Sequence, residues 1–269
     1  MSAQFSVLMA VYSGEKPEYF WHALFSIASQ TVKADEVVII ADGELTPELY
    51  EVMEDFETLP IVHREYSGTG RLGGALSMGI EVCSYEIVAR LDSDDIAVSN
   101  RFEVQLARML SHDLDVIGCA VGEFSEDPKD IHSVRETPKR PSKRQTTLRN
   151  PFNHTSVMYR KSSVLAAGNY RTCLFFEDWD LWLRLQQHGA VFENSSAVLV
   201  YQRTNTDFYS RRSGPNYSKI ETATLRNWHK EGLIDGISLL LGGLMRKIIR
   251  SIPQKSIKFV YNKILRKNI

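Results

Sequence analysis

The sequence predicts an α/β fold: a mostly parallel, Rossmann-like sheet flanked by helices, with a helical extension at the C-terminus. Three observations lead there. Apolar runs of strand length alternate with helical patterns through the first 112 residues, the order expected of parallel strands joined by crossover helices. With 43% hydrophobic residues in 269, the chain has material for a sizeable core: one large domain, or one plus an appendage. From Leu244 to Ile269 the character changes to basic residues among aliphatics with no acid at all, which sets the tail apart as a separate electrostatic object.

The strand candidates are 5-FSVLMAV-11, 36-EVVIIA-41, 60-PIVHRE-65 and 86-EIVARL-91, and the helical readings lie near 18–29, 46–56, 71–83 and 98–112. Ligands of such sheets bind beyond the carboxyl ends of the strands, so Tyr12, Asp42 and Asp92, each just past a strand, should gather on one rim. After the third strand, 68-GTGRLGG-74 matches GxGxxG, opens a helix, and has an acid about 20 residues on. That makes a dinucleotide-binding dehydrogenase a rival reading. Against it, these glycines follow the third strand rather than the first, and Asp92 belongs to a carboxylate cluster that would repel a pyrophosphate.

The cluster lies in 89-ARLDSDDIAV-98, where Asp92, Asp94 and Asp95 are crowded at a strand end despite their mutual repulsion. A metal ion, a basic side chain or water must offset it. A hard divalent cation would do so while bridging to a diphosphate; the competing reading is that Asp95 or Ser99 caps the helix that follows and the other acids are solvated. Further on, 125-SEDPKDIHSVRETPKRPSKRQ-145 reads as an exposed loop. In 177-EDWDLWLRLQQHG-189 a helix opens on Glu177 and Asp178, acids that the helix dipole favours, and stops at Gly189.

Composition also excludes. A formal charge of -1 does not point to nucleic acid. Cys83, Cys119 and Cys173 are odd in number and widely spaced, which argues against a disulfide framework or a zinc site and for a reducing cytoplasm. The opening MSAQFSVLMAVYSGE has no basic n-region, and 237-ISLLLGGLM-245 is too short to cross a bilayer.

Four separated segments, 6-SVLMAVYSGEKPEYFWHALFSIASQT-31, 36-EVVIIADG-43, 88-VARLDSDDIAVSNRFEVQ-105 and 177-EDWDLWLRL-185, resemble in order and spacing the family 2 inverting glycosyltransferases of GT-A fold. The resemblance covers roughly residues 5–205, and implies a catalytic domain over 1–205 with a basic amphipathic extension over 206–269. It implies that Tyr12 stacks on a nucleotide base and that Asp42 accepts the uracil N3–H, a bond cytosine lacks. Arg71, Asp92 and Ser93 are implied at the nucleotide-sugar. Asp92 and Asp94 match the DxD motif, which implies Mn²⁺ or Mg²⁺ held chiefly by Asp94. Asp178 is implied as the catalytic base, with Glu177 and Trp179 beside it or at the acceptor, whereas Trp182 reads as core.

One departure from the family pattern is Arg203 with no histidine after it, Asn205 being a poor substitute ligand. Arg211 and Arg212 read as a candidate diphosphate clamp, as guanidinium pairs make, with a solvated surface pair as the alternative. That pair resembles bacterial amylovoran and O-antigen transferases. The function implied is metal-dependent inverting transfer of a hexose, galactose or glucose, from a UDP-sugar to an undecaprenyl diphosphate-linked acceptor. A nucleotide-sugar pyrophosphorylase and a non-catalytic binding domain are further rivals. The first lacks its glycine-rich basic loop at 12-YSGEKPEY-19, and the second has no need of Asp178.

In the tail, Leu244, Ile248, Ile249 and Ile252 recur at helical spacing with Arg246, Lys247 and Arg250 between them. After Pro253, Ile257, Val260, Tyr261, Ile264 and Leu265 repeat the pattern with Lys258, Lys263 and Arg266. Two basic amphipathic helices are expected, suited to an anionic membrane surface and hence to a peripheral place on the inner face of the cell membrane; docking on the domain or on a second subunit is the alternative.

Overall fold

The computed structural model describes residues 3–68, 71–204 and 214–251. The N-terminal half follows the expected alternation: β1 (Phe5–Tyr12), α1 (Pro17–Ala28), β2 (Glu36–Asp42), α2 (Pro47–Glu54), β3 (Ile61–Tyr66), α3 (Leu72–Val82), β4 (Ile87–Arg90), β5 (Ile96–Ala97) and α4 (Arg101–Ser111). Proline at the first turn starts α1 and α2, where its missing N–H costs nothing. Beyond lie β6 (Val116–Phe124), β7 (Ser133–Arg135), α5 (Lys143–Leu148), a 3-10 turn (His154–Ser156), β8 (Met158–Arg160), α6 (Lys161–Ala166), α7 (Glu177–Gln187), β9 (Phe192–Arg203), α8 (Gly214–Lys230) and α9 (Gly236–Ser251).

The strands form one sheet in the order β3-β2-β1-β4-β8-β6-β9-β5, with β7 on β6. From β3 to β4 it is parallel; β8 enters antiparallel to β4 and β6, and β9 runs parallel to β6. Alternate residues of β1 face opposite layers, as strand geometry dictates. Phe5, Val7, Met9 and Val11 meet α1, α2 and α4 on one side, while Leu8 meets α3 and α7 on the other. Chain order reverses between β1 and β4, which leaves a crevice beyond their carboxyl ends.

Two expectations change. Residues 125–145 are not a plain loop: β7 pairs with β6, and Ser142 opens α5 with a capping box to Gln145. The S-x-x-Q signal stood in the sequence. The first tail helix, α9, begins at Gly236, well before Leu244, and Arg246 is turned inward. Its Nε donates to Glu221 at 2.8 Å and its guanidinium lies over the Trp179 ring. The second tail helix, with Ile257, Val260, Tyr261, Ile264 and Leu265, lies outside the described residues.

Both α8 and α9 dock on α7. Leu225, Trp228, Leu233 and Ile234 bury with Phe176, Trp179 and Leu183. Trp228 Nε1 donates to Asp180 at 2.8 Å, and Arg184 holds the same carboxylate from within α7. Breaking one partner of such a buried pair would leave an uncompensated charge.

Candidate active site

The rim forms where expected. Tyr12, Asp42 and Tyr66 are the last residues of β1, β2 and β3 and occupy one register row. Tyr12 is 52% exposed. Asp42 Oδ1 is buried and has no hydrogen-bond partner among the described residues, and burial raises the carboxyl above its ordinary range. An acceptor desolvated without a donor is costly, and a donor arriving from outside the described residues would relieve it.

The glycine run serves packing. A Cβ on Gly68 or Gly74 would strike the Tyr66 ring at about 2 Å, and one on Gly73 would lie 2.3 Å from the Arg171 carbonyl oxygen and 3.0 Å from Glu177 Cβ. These positions let Tyr66 lie flat on the loop and let α3 approach α7 closely. Thr69 and Gly70 lie outside the described residues. Arg71 is exposed at the start of α3, its Nη1 3.5 Å from the Thr172 carbonyl.

The acid loop hangs between β4 and β5, and β5 fastens its far end to Val200 and Tyr201 of β9. What offsets the carboxylates at Asp92 is a side chain of the strand itself. Arg90, 2% exposed, grips Asp92 with both terminal nitrogens, Nη1 to Oδ2 at 2.7 Å and Nη2 to Oδ1. Arg101 Nη2 in turn donates to the Arg90 carbonyl at 2.6 Å. The Ser93 hydroxyl donates to Glu15 Oε2 at 2.6 Å, so Ser93 holds the β1 loop against the acid loop.

Asp95 does not cap α4, whose N-cap is Asn100; it is buried and accepts the Arg203 backbone N–H at 2.8 Å. Burial, then the charge of Asp92, push its carboxyl up to about 7. Asp94 is half-buried and held well above the carboxylate range by burial and then by Asp95, Asp92 and Glu15. The three aspartates offer oxygens within 4.8 Å of one another. An all-oxygen donor set whose members repel each other fits a hard divalent cation. Among the described residues no cationic side chain pairs with Asp94, whereas Arg90 pairs with Asp92.

Arg203, which has no metal-closing histidine after it, is buried and structural. Its guanidinium lies over Tyr19 and Phe124 and donates to the carbonyls of Asp94, Ser125 and Glu126. Asn205, Arg211 and Arg212 lie outside the described residues.

The start of α7 closes the site opposite the acid loop. Asp178 Oδ2 accepts from Asn150 Nδ2 at 2.6 Å and Oδ1 from the Trp179 N–H at 2.6 Å. Burial and then the Asp178 charge push Glu177 up to about 7, and Arg90 and Asp92 also act on it, which places the two acidic groups in one electrostatic field. Trp179 is buried: its indole N–H donates to the Thr146 carbonyl at 2.7 Å, and its ring packs on Trp228. It anchors the C-terminal helices and has no open face for an acceptor sugar. Trp182 is fully buried, as read.

Four residues escaped the sequence reading: Glu15, Tyr66, Arg90 and Asn150. Only Arg90 had a signal, a cation at the end of a buried strand, which requires a partner.

Residues 6–167 match the profile of Glycosyl transferase family 2. The chain is 37% identical over 264 residues to the amylovoran biosynthesis glycosyltransferase AmsE of Erwinia amylovora, covering 96% of this chain and 98% of that protein. To the UDP-Gal:alpha-D-GlcNAc-diphosphoundecaprenol beta-1,3-galactosyltransferase of Escherichia coli it is 33% identical, covering 98% and 97%. Among solved structures, S. aureus TarS 1-349 in complex with UDP-GlcNAc superposes with a TM-score of 0.65 at 16% identity, over 84% of this chain and 66% of that one. The mannosyltransferase PcManGT of Pyrobaculum calidifontis, in complex with GDP-Man and Mn²⁺, superposes with a TM-score of 0.61 at 15% identity, over 87% and 66%.

Proposed function

The chain belongs to glycosyl transferase family 2 and is a glycosyltransferase of GT-A fold, and from that premise we propose that it moves a hexose, galactose or glucose, from a UDP-sugar to a lipid-linked oligosaccharide, with inversion. The setting proposed is the assembly of a bacterial surface polysaccharide, the role carried in the names of its relatives. The observation that carries the reading is the acid loop after β4, with the unpartnered Asp42 oxygen at the end of β2 and Asp178 at the start of α7, whose neighbour Glu177 feels both Asp178 and Asp92.

In this reading Tyr12 stacks on uracil, Asp42 accepts its N3–H, and Arg71 and Asp92 border the ribose and diphosphate. Asp178 takes the proton of the acceptor hydroxyl as that oxygen attacks the sugar C1. Asp94, beside Asp92, would hold Mn²⁺ or Mg²⁺, which when bound would supply positive charge to the leaving diphosphate. The catalytic domain is placed at 1–205 and the extension at 206–269.

A panel of nucleotide sugars with a diphosphate-lipid-linked sugar acceptor tests this, followed by NMR of the product. We expect turnover with a UDP-hexose that chelator stops, and a product of inverted anomeric configuration. Turnover with a CDP-sugar in place of UDP, or a retained configuration, would overturn it.

We further propose that the acceptor is met at an anionic membrane surface. No helix among the described residues is long and apolar enough to cross a bilayer. On α9, however, Ile237, Leu240, Leu244 and Met245 are 48–72% exposed at helical spacing, and the sequence after them carries Lys247, Arg250, Lys255, Lys258, Lys263, Arg266 and Lys267 with no acid. Each cation near an anionic surface contributes about 1 kcal/mol before screening. Because Arg246 packs inward, the informative cut is after Ser251. The full chain is expected to float with phosphatidylglycerol vesicles at low salt and to be released at high salt. Both truncation after Ser251 and the pair Leu240→Gln, Leu244→Gln should weaken flotation. Equal flotation of all three, or a dimer that dissociates in the leucine variant while the full chain ignores vesicles, would assign the face to another role.

A further inference from the structure

We propose that Asn150 is a positioning residue for the base, fixing the Asp178 carboxylate in one orientation toward the acceptor. The proposal rests on the reading of Asp178 as the proton acceptor. Asn150 lies between α5 and the 3-10 turn, where neither charge nor periodicity marks it.

Its amide is itself oriented. The Phe152 N–H donates to Asn150 Oδ1 at 3.2 Å, which leaves Nδ2 as the face turned to Asp178 Oδ2, 2.6 Å away. One residue on, the Trp179 indole donates to the carbonyl of Thr146, so the segment 146–150 holds the first turn of α7 at two consecutive side chains. The other carboxylate oxygen is taken by the Trp179 backbone N–H. Rotation about the Asp178 side chain therefore breaks two hydrogen bonds at once.

The chemistry of the donor matters as much as its place. The titratable and charged groups acting in this corner are Glu177 on the same helix, the neutral Tyr170 phenol from the segment before α7, and, through Glu177, Arg90 and Asp92 from the end of β4. Arg149 precedes Asn150, and Arg71 stands exposed beyond Gly73 on the α3 side. Glu177, when ionised, disfavours a second negative charge beside it, while burial keeps the Tyr170 phenol neutral. An amide N–H at 2.6 Å works the other way, favouring the carboxylate over the acid without adding a charge the substrate would have to meet.

Two variants test this in the full chain, with Asp178→Asn measured beside them. Asn150→Ala removes the amide; Asn150→Asp keeps its shape and its bond to the Phe152 N–H and replaces only the donor. Both are expected to lower kcat at least about tenfold with the donor KM within about twofold, and to move the acid limb of the kcat profile upward by about one pH unit, since the ionised base loses its support. Asn150→Asp, which adds a like charge, should move it further. If Asp178→Asn is inactive while both Asn150 variants keep kcat within twofold and the acid limb in place, Asn150 has no positioning role. If Asp178→Asn is itself active, the base reading falls and this proposal with it. A melting curve for each variant separates the alternatives: Asn150→Asp melting near wild type with the limb displaced supports positioning, and lowered stability with an unmoved limb makes the residue merely structural.

Discussion

Asp94→Ala is expected to abolish Mn²⁺-dependent UDP binding and to lower transfer by more than about 10³-fold, the scale of losing a metal's stabilisation of a leaving diphosphate. The neighbours cannot substitute. Both oxygens of Asp92 are engaged by the buried Arg90, and Asp95 lies beneath the loop with one oxygen on the Arg203 N–H. Asp94 is left with repulsion from Asp92, Asp95 and Glu15, which a bound cation relieves. Calorimetry of UDP with and without Mn²⁺ decides: unchanged affinity in the variant would remove the metal from this loop. A melting curve in chelator guards against misreading a folding defect. Removing a charge that its surroundings disfavour should raise the melting temperature of the metal-free protein, the usual trade of stability for a strained functional site.

The N-terminal half was legible because its signals are local. Each of β1 to β4 is a compact apolar run, each crossover helix is close in sequence, and the rule that ligands gather at carboxyl strand ends placed Tyr12, Asp42 and Asp92 on one rim. The second half was less so. Strand β8 has three residues and enters antiparallel between β4 and β6, and β9 carries a register shift opposite Cys119 and Ala120, so no run of sequence announces either. Trp179 shows the limit at a single residue. Beside two acids at a helix start it reads as a sugar platform, yet the aromatic and aliphatic residues that cover it come from α8, some fifty positions away. The same distance hides Arg203, whose partners in the acid loop are about a hundred residues back. The crowding of three aspartates at a strand end had part of its answer two residues earlier in Arg90. What concealed it is that a buried arginine is legible only as an anomaly until its partner is seen.

Asp178→Asn is expected to leave UDP-sugar binding near wild type and to lower kcat by about 10²–10⁴-fold, the range of a general-base contribution. The amide keeps the size of the side chain and loses the proton acceptor. The rival is Glu177, whose carboxyl titrates near neutrality. Two facts separate them. Asp178 receives N–H donors on both oxygens, which favours its ionised form, whereas Glu177 is pushed up to about 7 by burial and by the charge of Asp178 itself. Burial first, and the charge of Asp178 second, keep Glu177 partly protonated at neutral pH. Glu177→Gln should accordingly cost less than about tenfold in kcat, and the reverse ranking of the two variants would move the base to Glu177. Stability gives an independent reading with a definite sign. A carboxyl raised in the folded state from 4.5 to about 7 favours folding least when both states are ionised, so this group's contribution declines as pH rises from about 4.5 through 7. Replacing the Asp178 charge by a neutral amide removes the repulsive part of that shift. The melting temperature of Asp178→Asn relative to wild type should therefore climb across that interval and level off above it, and a difference that stays flat from pH 4 to 8 would show that the two carboxyls do not share one field.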